Sequence, residues 1–354
     1  MSWTTQLSRG CAALCLSLTA FAAQGAAAYS NMYVFGDSLS DSGNDLLLTS
    51  SVPSPLFYSD GSNQGRFTNG LNYADRLAAS FGLTLTPSAT LGGGNNYAHG
   101  GARTDSIWPE LLALGGLDFN SQIDAYLKQL TVSGTAGDPN ALYVLWIGSN
   151  DMADAFAGPP SEVPAAVKET VLDIAGALST LQTVGARNFL IGNLPDLSLT
   201  PLGRSRAALN SGGDPDIEKS ILQGLHNGSA AFNAALSKVL PSVSLASSTV
   251  TVFDAFALQT AMTNNPSAYG LTNVTVPCFD GQVDGSRSPG SAKVNECSNE
   301  GEYLYYDMLH PTAVLHDWAA RSIYAQLVPE PAGWALTLTA LGLMGFMGRR
   351  RARN

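Results

Sequence analysis

The chain is poor in charge and poorer still in basic residues. Of 354 residues, 18 are Lys or Arg and 28 are Asp or Glu, so charged side chains make up only 13%. With so few cations there is no basic face for nucleic acid or an anionic membrane surface, and neither is expected as a partner. His-Glu-x-x-His is missing, as is a phosphate loop ending in Gly-Lys-Ser/Thr, so metallohydrolase and nucleotide chemistry lack their residues. Gly-x-Ser-x-Gly is missing too, which disfavours the α/β-hydrolase elbow. No metal and no cofactor is expected. What the chain does have is 36 glycines and 45% hydrophobic residues, hence a substantial core under a surface of Ser, Thr, Asn and Gly.

Both ends read as addresses. Arg9 is the only charge ahead of an Ala-rich apolar run, Cys11 to Ala23, and small residues alternate from Ala23 to Ala28. That is the pattern of a secretory signal peptide, assigned to residues 1–28 with cleavage between Gly25 and Ala28. At the other end, Val328-Pro329-Glu330-Pro331 precedes a 17-residue apolar run that stops at Arg349, Arg350 and Arg351. Seventeen residues is the lower limit for crossing a bilayer, and the arginines favour the cytoplasmic side. This tail, residues 328–354, resembles the PEP-CTERM sorting signal of Gram-negative bacteria. The resemblance implies export, transient anchoring in the inner membrane, processing by an exosortase-type enzyme, and a final place at the cell surface or outside.

Between the ends, residues 29–327 form one large domain with 13 basic against 27 acidic residues, a net charge of −14. They keep two of the four cysteines, Cys278 and Cys297, set among Gly, Asp, Asn and Ser. In an exported chain two such cysteines read as a disulfide clipping a surface loop. Zinc is the alternative, but no second pair of Cys or His lies nearby.

Short apolar runs alternate with longer amphipathic ones. Strands are expected at Met32–Phe35, Leu142–Ile147, Phe189–Ile191 and Val250–Phe253. Helices are expected at Gly70–Ser80, Ser121–Leu130, Ala165–Val184, Asp216–Leu240 and Pro311–Leu327. Such alternation argues for an α/β fold with a parallel sheet. Gly/Pro/Ser-rich stretches at Val52–Gly65, Thr200–Pro215 and Pro277–Glu300 read as loops.

The first strand runs into Gly36-Asp37-Ser38-Leu39-Ser40-Asp41-Ser42-Gly43-Asn44. A serine there is turn punctuation unless a base can take its proton. Four histidines are available. His99 borders a glycine pair, His226 lies in a polar helical stretch, and His316 sits mid-helix beside Asp317; all three read as surface or structural. His310 differs. It stands in Tyr-Tyr-Asp-Met-Leu-His-Pro-Thr, with Asp307 three residues ahead to accept from Nδ1–H and Pro311 behind to open the last helix. Donors for an oxyanion are available at Gly100-Gly101 and at Asn150, which follows an apolar strand at the carboxyl edge where open α/β sheets bind ligands.

Gly36-Asp37-Ser38-Leu39, Gly101, Gly148-x-Asn150-Asp151 and Asp307-x-x-His310-Pro311 resemble, in order, the four sequence blocks of the GDSL, or SGNH, hydrolases. Residues 36–44 and 65–78 look like the phospholipase/lecithinase/hemolysin-like branch. The resemblance implies a flavodoxin-like three-layer α/β/α sandwich with a central parallel sheet. It implies Ser38 as nucleophile, His310 as base and then acid, and Asp307 as the residue orienting it. The Ser38 N–H, the Gly101 N–H and the Asn150 amide would form the oxyanion hole, with Gly100 leaving the choice of glycine open by one residue. The activity expected is a secreted serine esterase acting on lipid or short acyl esters, possible phospholipids included. A carbohydrate esterase acting on an acetylated glycan is the runner-up, and a catalytically inactive matrix-binding protein a third reading.

Overall fold

Four five-residue strands make the sheet: β1 (Met32–Gly36), β2 (Leu142–Trp146), β3 (Asn188–Gly192) and β4 (Thr249–Phe253). The structure is a computed structural model and describes residues 29–49, 64–88, 93–279 and 297–328. All strand pairs are parallel, in the order β1-β2-β3-β4, with Gly36 beside Trp146 and Gly192 beside Phe253 at the carboxyl edge. Every expected strand falls within one residue of these bounds.

One edge element has no sequence signature. Val34 N–H donates to Asn95 O at 2.9 Å, Tyr97 N–H to Val34 O at 2.7 Å, and His99 N–H to Gly36 O at 3.2 Å. Residues 95–99 thus run parallel to β1 on its free side. The chain leaves β1 outward to this edge and then crosses back to β2. Connections therefore diverge at the end of β1, which makes that point the topological switch where doubly wound sheets bind ligands.

The helices are α1 (Asn44–Thr49), α2 (Tyr73–Ser80), α3 (Pro109–Ala113), α4 (Phe119–Ser133), α5 (Ser149–Ala155), α6 (Val163–Thr183), α7 (Pro201–Asn210), α8 (Pro215–Val243), α9 (Ala255–Asn264) and α10 (Ala313–Leu327). Side chains alternate across a strand, so each strand serves two layers. Phe35, Tyr143, Leu145, Phe189 and Ile191 share one core with α4, α6 and α8 through Phe119, Ile174, Leu178, Phe232 and Leu236. On the opposite face the Trp146 ring meets Tyr73 of α2 at 4.6 Å and Phe253 at 5.4 Å. This is the three-layer α/β/α architecture. Residues Tyr29–Ile323 form one compact unit.

Two expectations need correction. Thr200–Pro215 is not a loop: Thr200 Oγ1 accepts the Gly203 N–H at 3.0 Å, Pro201 opens the first turn, and α7 follows. Gly203 and Ser205 mask a helix whose start is set by its cap. The last helix begins at Ala313 rather than Pro311, because Pro311 is bridged to Tyr305 and the Ala313 N–H is capped by Asn69 Oδ1 at 2.7 Å. The stretches 50–63 and 280–296, and with them most of two expected loops, lie outside the described residues, as do the N- and C-terminal segments 1–28 and 329–354. Among the described residues no helix is long and apolar enough to cross a membrane.

Candidate active site

After β1 the chain cannot continue as a strand, because Gly36 has used its backbone on a side chain. Gln122 of α4 accepts the Gly36 N–H at 2.8 Å and returns a donor to Gly36 O at 2.9 Å, replacing a neighbouring strand. Asp37 then starts one tight turn. Its carbonyl accepts from both Ser40 and Asp41 at 3.0 Å, and its Oδ1 accepts the Leu39 N–H at 3.0 Å. Ser38 is left at the apex, 7% exposed.

The following residues fasten the turn to the edge segment. Asn44 Nδ2 donates to Asn96 O at 3.0 Å and Ala98 O at 2.8 Å, while Asn96 Nδ2 donates back to Ser40 O and Ser42 Oγ, both at 2.8 Å. Asp41 Oδ1 accepts the Gly43 and Asn44 N–H groups at 2.7 Å. Asp45 Oδ1 lies 2.8 Å from His99 Nδ1. Burial raises Asp45 well above the usual carboxylate range and lowers His99. Burial, with the Asp45 charge adding to it, pushes Asp41 up to about 7. Asp41, Asp45 and His99 have the spacing of a metal-ligand set. Asp41 Oδ1 is spent on two backbone N–H groups and His99 Nδ1 on Asp45 Oδ1, and the three act as a brace under the Ser38 turn.

At the far end of the chain Asp307 lies fully buried. Its Oδ1 accepts the Leu309 N–H at 2.7 Å and the His310 N–H at 2.6 Å, while its Oδ2 faces His310 Nδ1 at 2.7 Å. Two backbone donors fix the carboxylate, and the carboxylate fixes the ring. His310 Nε2 then meets Ser38 Oγ at 2.8 Å across 272 residues of sequence. Phe67 covers the imidazole at 5.3 Å between ring centres, and the ring is 3% exposed.

Of the residues expected to supply amide donors, Ser38 and Asn150 line the same cavity. Asn150, in the first turn of α5, lines the cavity with Ser38 and is steadied by donating to Ala102 O at 2.9 Å. Gly148 caps that helix at φ +114°, a conformation suited to glycine. Asp151 Oδ1 ties α5 to the glycine loop by accepting the Thr104 N–H at 3.0 Å and its hydroxyl at 2.9 Å. Gly101 has φ +71°, and a Cβ there would stand 2.7 Å from the Trp108 ring. Among the described residues the Ser38 and Gly101 N–H groups have no hydrogen-bond partner.

A cavity of about 50 Å³ opens beside Ser38 under the carboxyl ends of β2 to β4. Its wall is mainly apolar, with Trp146, Leu197, Phe253, Leu258 and Leu315. Asp37 lines it too. Burial pushes the Asp37 carboxyl up to about 7, aided by Asp151 and opposed by the Leu39 N–H and His310. The other histidines are placed apart. His99 is buried in the brace, His226 is half-exposed at 2.6 Å from Asp196, and His316 is buried in the cavity wall. Sequence reasoning took His316 for a surface or structural residue; the i,i+3 spacing to Ala319 of the buried α10 face was the signal that it points inward. Cys278 and Cys297 form the expected disulfide.

A Ser–His–Asp chain at the switch point of a parallel sheet defines a serine hydrolase of the flavodoxin-like class. The sequence comparison makes it particular. Residues 32–323 match the GDSL-like lipase/acylhydrolase family, and the chain belongs to it. It is a carboxylic ester hydrolase. It is 27% identical to a GDSL esterase/lipase of Arabidopsis thaliana over 88% of this chain and 89% of that one. Likeness extends to the thermolabile hemolysin of Vibrio parahaemolyticus, at 26% identity over 81% of this chain and 61% of that protein. It extends also to the phosphatidylcholine-sterol acyltransferase of Aeromonas hydrophila, at 24% over 85% and 91%. Among solved structures, an acetylxylan esterase of Geobacillus stearothermophilus aligns over 84% of this chain and 93% of its own at 13% identity and a TM-score of 0.38.

Proposed function

We propose that the protein hydrolyses short acyl esters through a Ser38 acyl-enzyme. His310 Nε2 takes the Ser38 proton as Oγ attacks the carbonyl carbon, and Asp307 holds the Nδ1–H tautomer and offsets the imidazolium charge. The carbonyl oxygen becomes an oxyanion received by the Ser38 N–H, the Gly101 N–H and the Asn150 amide. His310 then returns the proton to the departing alcohol, and water repeats the sequence on the acyl-enzyme. The observation that carries this reading is the 2.8 Å contact between Ser38 Oγ and His310 Nε2.

The cavity argues for an acyl chain over acetate. An apolar cavity of about 50 Å³ has room for roughly three to five water-sized groups, each needing about 10–15 Å³, so about three to five carbons beyond the ester carbonyl fill it. An acetyl group would leave most of that wall bare. We also propose export, with residues 1–28 as signal and 328–354 as a temporary anchor; a disulfide at Cys278–Cys297 suits an oxidising compartment.

Two measurements test the reading together. A fluorophosphonate should label the folded protein and fail to label Ser38→Ala. Rates on p-nitrophenyl esters should peak at butyrate to hexanoate. Labelling that survives Ser38→Ala refutes the nucleophile, and strong acetate release without turnover of longer esters refutes the acyl-chain reading.

A further inference from the structure

One imidazole in the cavity wall plays no part in the acyl transfer just described. His316 is 2% exposed on α10, and its ring lies parallel to that of Tyr73 at 6.3 Å between centres. Its Nδ1 accepts the Tyr73 backbone N–H at 3.2 Å. Burial, with the Arg76 and His310 charges adding to it, pushes its pKa down to about 3, so the ring is neutral across the working range. A neutral ring that accepts at Nδ1 carries its single proton on Nε2. That donor has no acceptor among the described residues.

Two more polar groups of the same wall lack a hydrogen-bond partner. Trp146 Nε1 and Ser149 Oγ are buried without a hydrogen-bond partner, and both residues line the cavity. Buried donors are ordinarily paired, by protein or by water. Trp146 and His316 both pack on the Tyr73 ring and both line the cavity. Donors collected in an otherwise apolar pocket are what orients and selects a ligand. Both are uncharged, so the acceptor they suit is a neutral oxygen, with Asp37 nearby disfavouring a carboxylate.

We propose that His316 Nε2–H and Trp146 Nε1–H receive an oxygen borne by the acyl chain, so that the pocket prefers oxo- or hydroxy-substituted acyl groups to plain alkanoyl groups of equal length. The proposal rests on the esterase reading of the same cavity. A pocket whose donors wait for an oxygen discriminates against the analogue lacking it, because they are then left unpaired.

The test compares p-nitrophenyl hexanoate with its 3-oxo, 4-oxo and 5-oxo derivatives, each kcat/KM divided by the ester's own rate with hydroxide. The wild-type protein should favour at least one oxo ester by ~10-fold or more, the order expected of one neutral hydrogen bond. His316→Asn keeps an oxygen where Nδ1 accepts the Tyr73 N–H but has nothing at the Nε2 position, and should bring the ratio within ~2-fold of unity. Trp146→Phe keeps an aromatic ring without the N–H and should lower the same ratio; it decides the matter if His316→Asn does not fold. Hexanoate turnover with no oxo preference overturns the proposal while leaving the esterase reading intact. An oxo preference unchanged in both variants overturns the assignment to these donors. Absence of both hexanoate turnover and fluorophosphonate labelling removes the esterase reading itself.

Discussion

Three Asp–His pairs occur among the described residues, and by distance they are near twins. Asp307 meets His310 at 2.7 Å, Asp45 meets His99 at 2.8 Å, and Asp196 meets His226 at 2.6 Å, each through Nδ1. What separates them lies on the other side of the ring. His310 Nε2 reaches a serine hydroxyl, whereas the His99 and His226 rings have no hydroxyl there. Burial does not distinguish the first two, since the His310 and His99 side chains are 4% and 2% exposed. An aspartate–imidazole contact is therefore a general device for fixing a ring. It becomes a proton relay only where a nucleophile and amide donors share the point opposite.

Replacing each histidine by alanine would break this comparison most sharply. His310→Ala should cut kcat by roughly 10⁴-fold or more while the melting temperature stays within a few degrees, since loss of one triad member removes nearly all the relay. His99→Ala should do the reverse in kind, lowering the melting temperature because it leaves the buried Asp45 carboxyl without its partner. His226 is 43% exposed, and its alanine variant should change stability by about 0.5 kcal/mol at most. Equal kinetic losses at His310 and His99 would show that the brace, and not the contact with Ser38, limits turnover.

Next in size is the amide side. On the proposed oxyanion role of its second N–H, Asn150→Ala should lower kcat by about 10²–10³-fold with little change in KM. A rise in KM at constant kcat would place Asn150 in substrate binding instead.

The sequence held much of this. Strand positions were legible because five-residue apolar runs bounded by Gly, Asp and Asn have few other uses. Ser38, Asp307, His310 and Asn150 were legible because each stands in a local motif with its own chemistry. The 95–99 edge was not, since its pairing depends on three backbone bonds and on no residue pattern. His316 was read as surface or structural, and it is structural: the face of α10 that turns inward is decided by packing against Tyr73.

Two buried carboxyl groups of the site can be set against each other in the same way. Asp307 receives two backbone N–H groups and an imidazole, whereas Asp37 receives one N–H and its Oδ2 has no partner. Burial accordingly raises Asp37 to about 7 from an ordinary 3.8. A raised carboxyl pKa means that the folded protein keeps a proton the unfolded chain gives up near pH 4. The stability it contributes is full below that pH and is lost as pH rises through about 7. Asp37→Asn cannot lose a proton, and its Oδ1 still accepts from Leu39. Relative to wild type the variant should therefore gain stability between pH 4 and pH 8, by up to about 4 kcal/mol for a shift of this size. Unfolding in urea at a series of pH values measures the difference, and any constant offset reflects only the new amide. A difference that stays flat from pH 4 to pH 8 would mean that Asp37 is ionised in the folded protein throughout, and that the two carboxylates differ in partners but not in charge.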